Sequence, residues 1–171
     1  MTHPLAADVR IRPATEADVP ALGRLGASLL RLHYAFDNQR FLAPRGNSEE
    51  GYAWFLGSQL RDADATVFVA DRAGEVVGYI YAGIEPLSWK ELRDRAGFIH
   101  DVLVDEEARA TGIGAQLVEA AAEWLLARDV PRVMLWTAEH NATAQRLFAR
   151  LGFRRTMIEM TREGKGSNGA G

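Results

Sequence analysis

Arg109-Ala110-Thr111-Gly112-Ile113-Gly114 is the stretch on which the fold of this chain turns. Before it, Phe98 to Val104 is an apolar run of strand type, and after it Ile113 to Leu126 has the periodicity of an amphipathic helix. A helix N-terminus presents unpaired backbone N–H groups and the positive end of its dipole, so such a strand–loop–helix junction suits an anion. Gly112 and Gly114 lack the Cβ atoms that would hold a bulky phosphate away from those amides, and Arg109 adds a cation. Three readings stay open on these residues alone: a turn that merely needs glycine, a nucleotide site, or a site for another diphosphate. The dinucleotide fingerprint fails because Leu117 stands where its third glycine belongs. A P-loop fails for want of a Gly-Lys-Ser/Thr ending.

Working outward from the loop, the chain reads as strand, two helices, three strands, helix, strand, helix, strand. Val9 to Ile11 forms the first strand, Thr15 caps a helix whose apolar face includes Val19, Leu22, Gly26, Leu29 and His33, and Glu49 to Arg61 forms a second helix. Between them Tyr34 to Asn47 is irregular but apolar, the composition of a packed wall or lid. Thr66 to Ala70 and Val76 to Ile84 are a hairpin turning at Asp71 to Glu75. After the glycine loop and its helix come a strand at Arg132 to Thr137, a helix at Asn141 to Arg150 capped by Gly152, and a closing strand at Phe153 to Thr161. The expected fold is one mixed α/β (α+β) domain over residues 1–163, followed by a disordered tail over 164–171.

Composition sets the limits on function. A chain of 171 residues with 47% hydrophobic and 25% charged residues is ordinary for one soluble domain. It has no cysteine, which excludes a disulfide framework, a thiolate zinc site and a cysteine nucleophile. Four scattered histidines argue against a metal site. The net charge of −3 argues against nucleic acid as a partner, so an anionic ligand must be held locally. No apolar run has the length of a membrane span, and residues 1–20 lack a signal-peptide core; a cytoplasmic location fits best.

Arg109-x-x-Gly112-x-Gly114 resembles the Arg/Gln-x-x-Gly-x-Gly/Ala signature of the GNAT superfamily of N-acetyltransferases. Upstream, Asp101-Val102-Leu103-Val104 resembles that family's central strand, and Val104-Asp105 leads to Arg109 at the family's spacing. Downstream, Asn141-x-x-Ala144-x-x-Leu147-Phe148-x-x-x-Gly152-Phe153 resembles its ending, and Arg10, Pro13, Ala14 and Asp18 resemble its opening. The likeness runs from residue 8 to about residue 160.

The resemblance implies a central sheet of about six to seven strands with about four helices, a splayed central strand pair forming the acetyl-CoA cleft, and acetyl-CoA as cosubstrate without a metal. It implies cofactor binding by Val102, Leu103, Val104, Arg109, Ala110, Thr111, Gly112, Ile113, Gly114, Asn141 and Phe148. Asn141 is equally suited to capping its helix. Phe148 departs from the family pattern, since relatives often carry a tyrosine there whose hydroxyl can protonate the leaving thiolate. Tyr34, Tyr79 and Tyr81 are unplaced candidates for that role.

The implied reaction is transfer from a thioester to a primary amine of a small molecule or peptide: polyamine-like, aminoglycoside or amino acid. The amine must shed a proton first, to His100, to Asp101 or to a water chain, with the two side chains as the candidate bases. His100 stands where many relatives carry a glutamate. Because successive strand residues alternate faces, only one of the two is expected to face the acceptor. Tyr34, Asp37 and Glu85 are the candidate substrate contacts. Dimerisation is common in the family, but no feature of this sequence establishes it. The alternative reading is a non-catalytic acyl-CoA sensor, kept open by Phe148.

Overall fold

The computed structural model describes residues 9–165, in which five strands form one mixed sheet flanked by four helices. In chain order these are β1 (Val9–Pro13), α1 (Val19–Phe36), α2 (Ser48–Gln59), β2 (Ala65–Arg72), β3 (Glu75–Glu85), β4 (Ala96–Val104), α3 (Ile113–Leu126), β5 (Val133–Leu135) and α4 (Ala142–Arg150). The sheet runs β1-β2-β3-β4-β5, antiparallel throughout except for the parallel β4–β5 pair. That parallel pair follows from the helical crossover of α3, which returns the chain in the same direction.

Two cores lie on the two faces. On one, Leu22, Leu25 and Leu29 of α1 and Leu56 of α2 pack on Val67, Val69, Tyr79 and Leu103. On the other, Leu117, Val118, Ala121 and Leu125 of α3 and Phe148 of α4 pack on Ala70, Val77, Ile80 and Ile99. Each fully buried leucine contributes roughly 1.5–3 kcal/mol. Alternation in β3 deals Tyr79 to the first face and Ile80 to the second, which is what a sheet covered on both sides requires.

The α1–α2 contact is unusually close. A Cβ on Gly26 would lie 2.2 Å from Cδ1 of Tyr52, so this glycine is the seat of that ring. The α4 C-terminus is closed by Gly152 at φ +87°, with Gly152 N donating to Ala149 O and Phe153 N to Phe148 O. Those two bonds and the edge-on contact of the Phe148 and Phe153 rings, 5.9 Å apart, make a Schellman cap with its hydrophobic contact.

Two expectations need correction. The sheet has five strands among the described residues, not six to seven. β5 is three residues long, and the segment expected to close the sheet at Phe153 to Thr161 belongs to no strand. The two facts are one: a three-residue strand offers too short an edge to template another. Arg40 holds Glu159 instead, through a two-pronged ion pair. Of the expected tail, Gly164 and Lys165 are irregular and residues 166–171 lie outside the described residues.

Candidate functional site

β4 pairs with β5 only over Gly97–Ile99, so from His100 to Val104 its edge on that side carries no strand. This is the splay that the sequence reading anticipated. Just beyond it, Ala110 (φ +60°) and Gly112 (φ +83°) bend the chain into α3. The first helical bond is Gln116 N to Gly112 O, and the amides of residues 110–115 have no acceptor among the described residues. A Cβ at Gly112 would meet nothing within 4 Å, so its glycine is required by backbone conformation, on the open side of the loop. A Cβ at Gly114 would instead press on Leu147 at 3.3 Å, so that glycine sets the α3–α4 distance.

The remaining residues of the loop are fixed by local bonds. Arg109 Nε donates to Val104 O at 3.0 Å, tethering the guanidinium to the strand end, and Thr111 Oγ1 donates to Ala108 O at 2.6 Å. Ile113 is buried beneath the helix start. The loop is therefore an open ring of donors on a rigid base, which fits the diphosphate of a CoA thioester. The bare edge at Val102, Leu103 and Val104 fits the amide-bearing arm of the same molecule.

The side chains of β4 break strand alternation at one point. Tyr81 of β3 lies opposite Asp101 and Ala82 opposite Ile99, leaving His100 as an extra residue without a partner. This β-bulge turns both His100 and Asp101 to the α1–α2 face. His100 stacks on Tyr81, with ring centroids 4.9 Å apart, and Asp101 accepts from Tyr79 Oη at 3.1 Å. The expectation that only one of the pair could face the acceptor is therefore corrected. Both line the same cavity, about 650 Å³ in volume.

That cavity is walled by Leu30 of α1, Tyr52 and Phe55 of α2, Leu42 and Arg45 of the connecting loop, and Tyr81. His100 Nε2 lies 3.0 Å from Glu85 Oε1, and its ring is sandwiched by Phe98 and Tyr81. Burial pushes the Asp101 carboxyl above the ordinary aspartate value, partly offset by the Tyr79 bond and by His100 and His33 nearby. Burial likewise raises Tyr52 and Tyr79, and it pushes Tyr81 up to about 12. Asp101 adds to all three.

The other predicted residues lie apart. Tyr34 and Asp37 line a separate recess of about 510 Å³ with Asn38 and His140. Asp37 Oδ1 accepts from the amides of Gln39 and Arg40, which makes it a turn-former. Asn141 caps α4, accepting from Ala144 N at 3.2 Å. Phe148 is a core ring. Sequence reasoning missed Tyr52, Phe55 and Leu30 as cavity walls. Their signal was weak but present: Gly23 and Gly26 mark a close helix contact on α1, and Tyr52 and Phe55 are one helical turn apart on α2.

Comparison with known proteins places this geometry among relatives. The model of the acetyltransferase (GNAT) family matches residues 29–153. An uncharacterized N-acetyltransferase of Archaeoglobus fulgidus is 38% identical over 104 residues, 61% of this chain and 67% of that protein. A mycothiol acetyltransferase of Thermobispora bispora is 34% identical over 96 residues, 56% of this chain; the match spans only 32% of that longer protein. An aminoglycoside N-acetyltransferase solved in complex with CoA superposes with a TM-score of 0.71, covering 96% of this chain and 99% of that one. At 16% identity that likeness is one of fold alone. Among the described residues no helix is long and apolar enough to cross a membrane.

Proposed function

The chain belongs to the acetyltransferase (GNAT) family, and we propose that it is an acetyl-CoA-dependent N-acetyltransferase acting on a primary amine of a small molecule or peptide. The observation that carries this reading is the bulge at His100, which faces two proton-accepting groups into one cavity beside the splay of β4 and β5. The unpaired amides of residues 110–115 would hold the diphosphate and the β4 edge the pantetheine arm. When bound, acetyl-CoA supplies an activated acetyl group on a thioester.

An alkylammonium has a pKa near 10 and cannot attack until it loses a proton. His100 is suited to take it. Glu85 Oε1 lies 3.0 Å from Nε2, which favours a proton on that nitrogen and the lone pair on Nδ1, and the stacked rings of Tyr81 and Phe98 fix the imidazole plane. Asp101 sits on the same face and draws the cation toward it, while Tyr79 holds its carboxylate in place. Backbone N–H groups along the free edge of Val102 to Val104 are suited to the oxyanion of the tetrahedral state.

Protonation of the leaving thiolate finds no donor in Tyr79, Tyr81 or Phe148. Tyr79 is fully buried and committed to Asp101, Tyr81 Oη donates to Gln59 Oε1 at 3.1 Å, and Phe148 has no hydroxyl. A thiol pKa of about 8.5 lets the thiolate depart unassisted. The test is release of free CoA thiol from acetyl-CoA over a panel of amines. Amine-dependent release supports transfer; tight acetyl-CoA binding without it supports the sensor reading.

A further inference from the structure

The lining of the 650 Å³ cavity carries more information than the presence of a base. Its walls are apolar and aromatic: Leu30, Leu42, Tyr52, Phe55 and Tyr81. Among its lining residues there is one carboxylate, Asp101, and one guanidinium, Arg45. A polyamine or an aminoglycoside brings several ammonium groups, and each needs its own anionic or hydrogen-bonding partner once withdrawn from water. This cavity offers Asp101 and, behind His100, Glu85. The ammonium groups of a polycation would outnumber those two carboxylates.

Arg45 points the other way. Its backbone is fixed in a turn, with Arg45 N donating to Ser48 Oγ at 2.8 Å and Arg45 O accepting from Ser48 N at 3.1 Å. Its guanidinium has no ion-pair or hydrogen-bond partner among the described residues, unlike Arg12, Arg24, Arg40, Arg61 and Arg93, each of which holds a carboxylate. An exposed, unpaired planar fork among the lining residues of an apolar cavity is suited to a carboxylate, bound by two parallel N–H···O bonds.

Resting on the acetyltransferase reading, we propose that the acceptor is a small amino carboxylate with one amine and an apolar body of aromatic or large aliphatic size. Its amine lies at His100 and Asp101, its body lies between α1, α2 and Tyr81, and its carboxylate is held by Arg45. The volume is in the range of pockets that enclose a whole small ligand.

Four probes test this: phenylalanine, phenethylamine (the same body without the carboxylate), spermidine and kanamycin. The expected order of kcat/KM puts phenylalanine at least 10-fold above phenethylamine, with both polycations lowest. Arg45→Gln should raise KM for phenylalanine about 10-fold and that for phenethylamine far less, erasing most of the preference. Preference for spermidine or kanamycin, or an equal loss on both monoamines in the variant, overturns the proposal. Binding is read separately by saturation-transfer NMR on the CoA-saturated protein. Phenylalanine binding that Arg45→Gln abolishes, without acetyl transfer, upholds the ligand class and sinks the enzyme reading. No binding and no turnover of phenylalanine overturns the ligand class, whatever amine is accepted.

Discussion

Asp18 and Asp101 are both withdrawn from solvent, and their surroundings drive them in opposite directions. Asp18 is only 6% exposed, yet it accepts from both terminal nitrogens of Arg12, at 2.8 and 2.9 Å, and from Thr15 N at 2.8 Å. Arg12 also donates to Asp71 at 2.9 Å. The carboxyls of Asp18 and Asp71 are accordingly held below the usual range, with the Arg12 hydrogen bond the largest cause, and Arg12 itself is raised. Asp101 has no guanidinium, only a phenol and two imidazoles, and burial lifts it. A charge paired at every lone pair fastens β1 to the start of α1; a charge left under-compensated in a cavity is held ready for a substrate cation.

The two regions also differ in what pH does to them. Asp18 lies below its unfolded value of about 3.9, so its stabilisation is complete above that pH and fades as pH falls through the folded value. Asp101 is raised in the fold, so ionisation costs stability. That cost is absent below the unfolded value and complete above the folded one.

The contrast can be broken most severely at His100. His100→Ala should lower kcat/KM by roughly 10²–10⁴-fold and change the shape of the pH–rate profile, with little change in melting temperature. A profile of unchanged shape would deny His100 the role of base. At the other region, Asp18→Asn should cost roughly 2–3 kcal/mol by denaturant unfolding at pH 7, because it leaves Arg12 under-paired. The difference from the parent should shrink toward pH 3, while kcat of the folded enzyme stays put. Gly26→Ala should cost about 1–3 kcal/mol by overpacking, and it should raise the acceptor KM as Tyr52 is pushed into the cavity. The smallest effect on stability belongs to Asp101→Asn. Its melting temperature should equal or exceed the parent's, the margin widening as pH rises, although turnover falls. A clear loss of stability there would mean that Asp101 is a structural charge like Asp18.

Much of this could be read from the chain alone, and the exceptions have physical reasons. The loop at Gly112 and Gly114 and the cap at Gly152 are local features, dictated by φ angles and nearby donors, and they stand where expected, whereas Thr15 opens a single 3-10 turn, Glu16–Asp18, and α1 follows from Val19 with Asp18 as its cap. The orientation of Asp101 was not legible, because a bulge is a property of register between two strands and neither strand encodes it alone. The cavity wall was missed for a related reason. Tyr52 reaches it only because Gly26, on another helix, leaves room for its ring. The closing strand failed because its composition was right and its partner was too short.

The unpaired position of His100 also bears on how such a site can arise. Ile99 opposite Ala82 and Asp101 opposite Tyr81 would be neighbours in an uninterrupted ladder, so a chain shorter by this one residue keeps every other β4 side chain on its present face. The imidazole therefore occupies a position outside the ladder rather than a core position. The side chain there belongs to neither core, so its chemistry can change while both cores keep their packing.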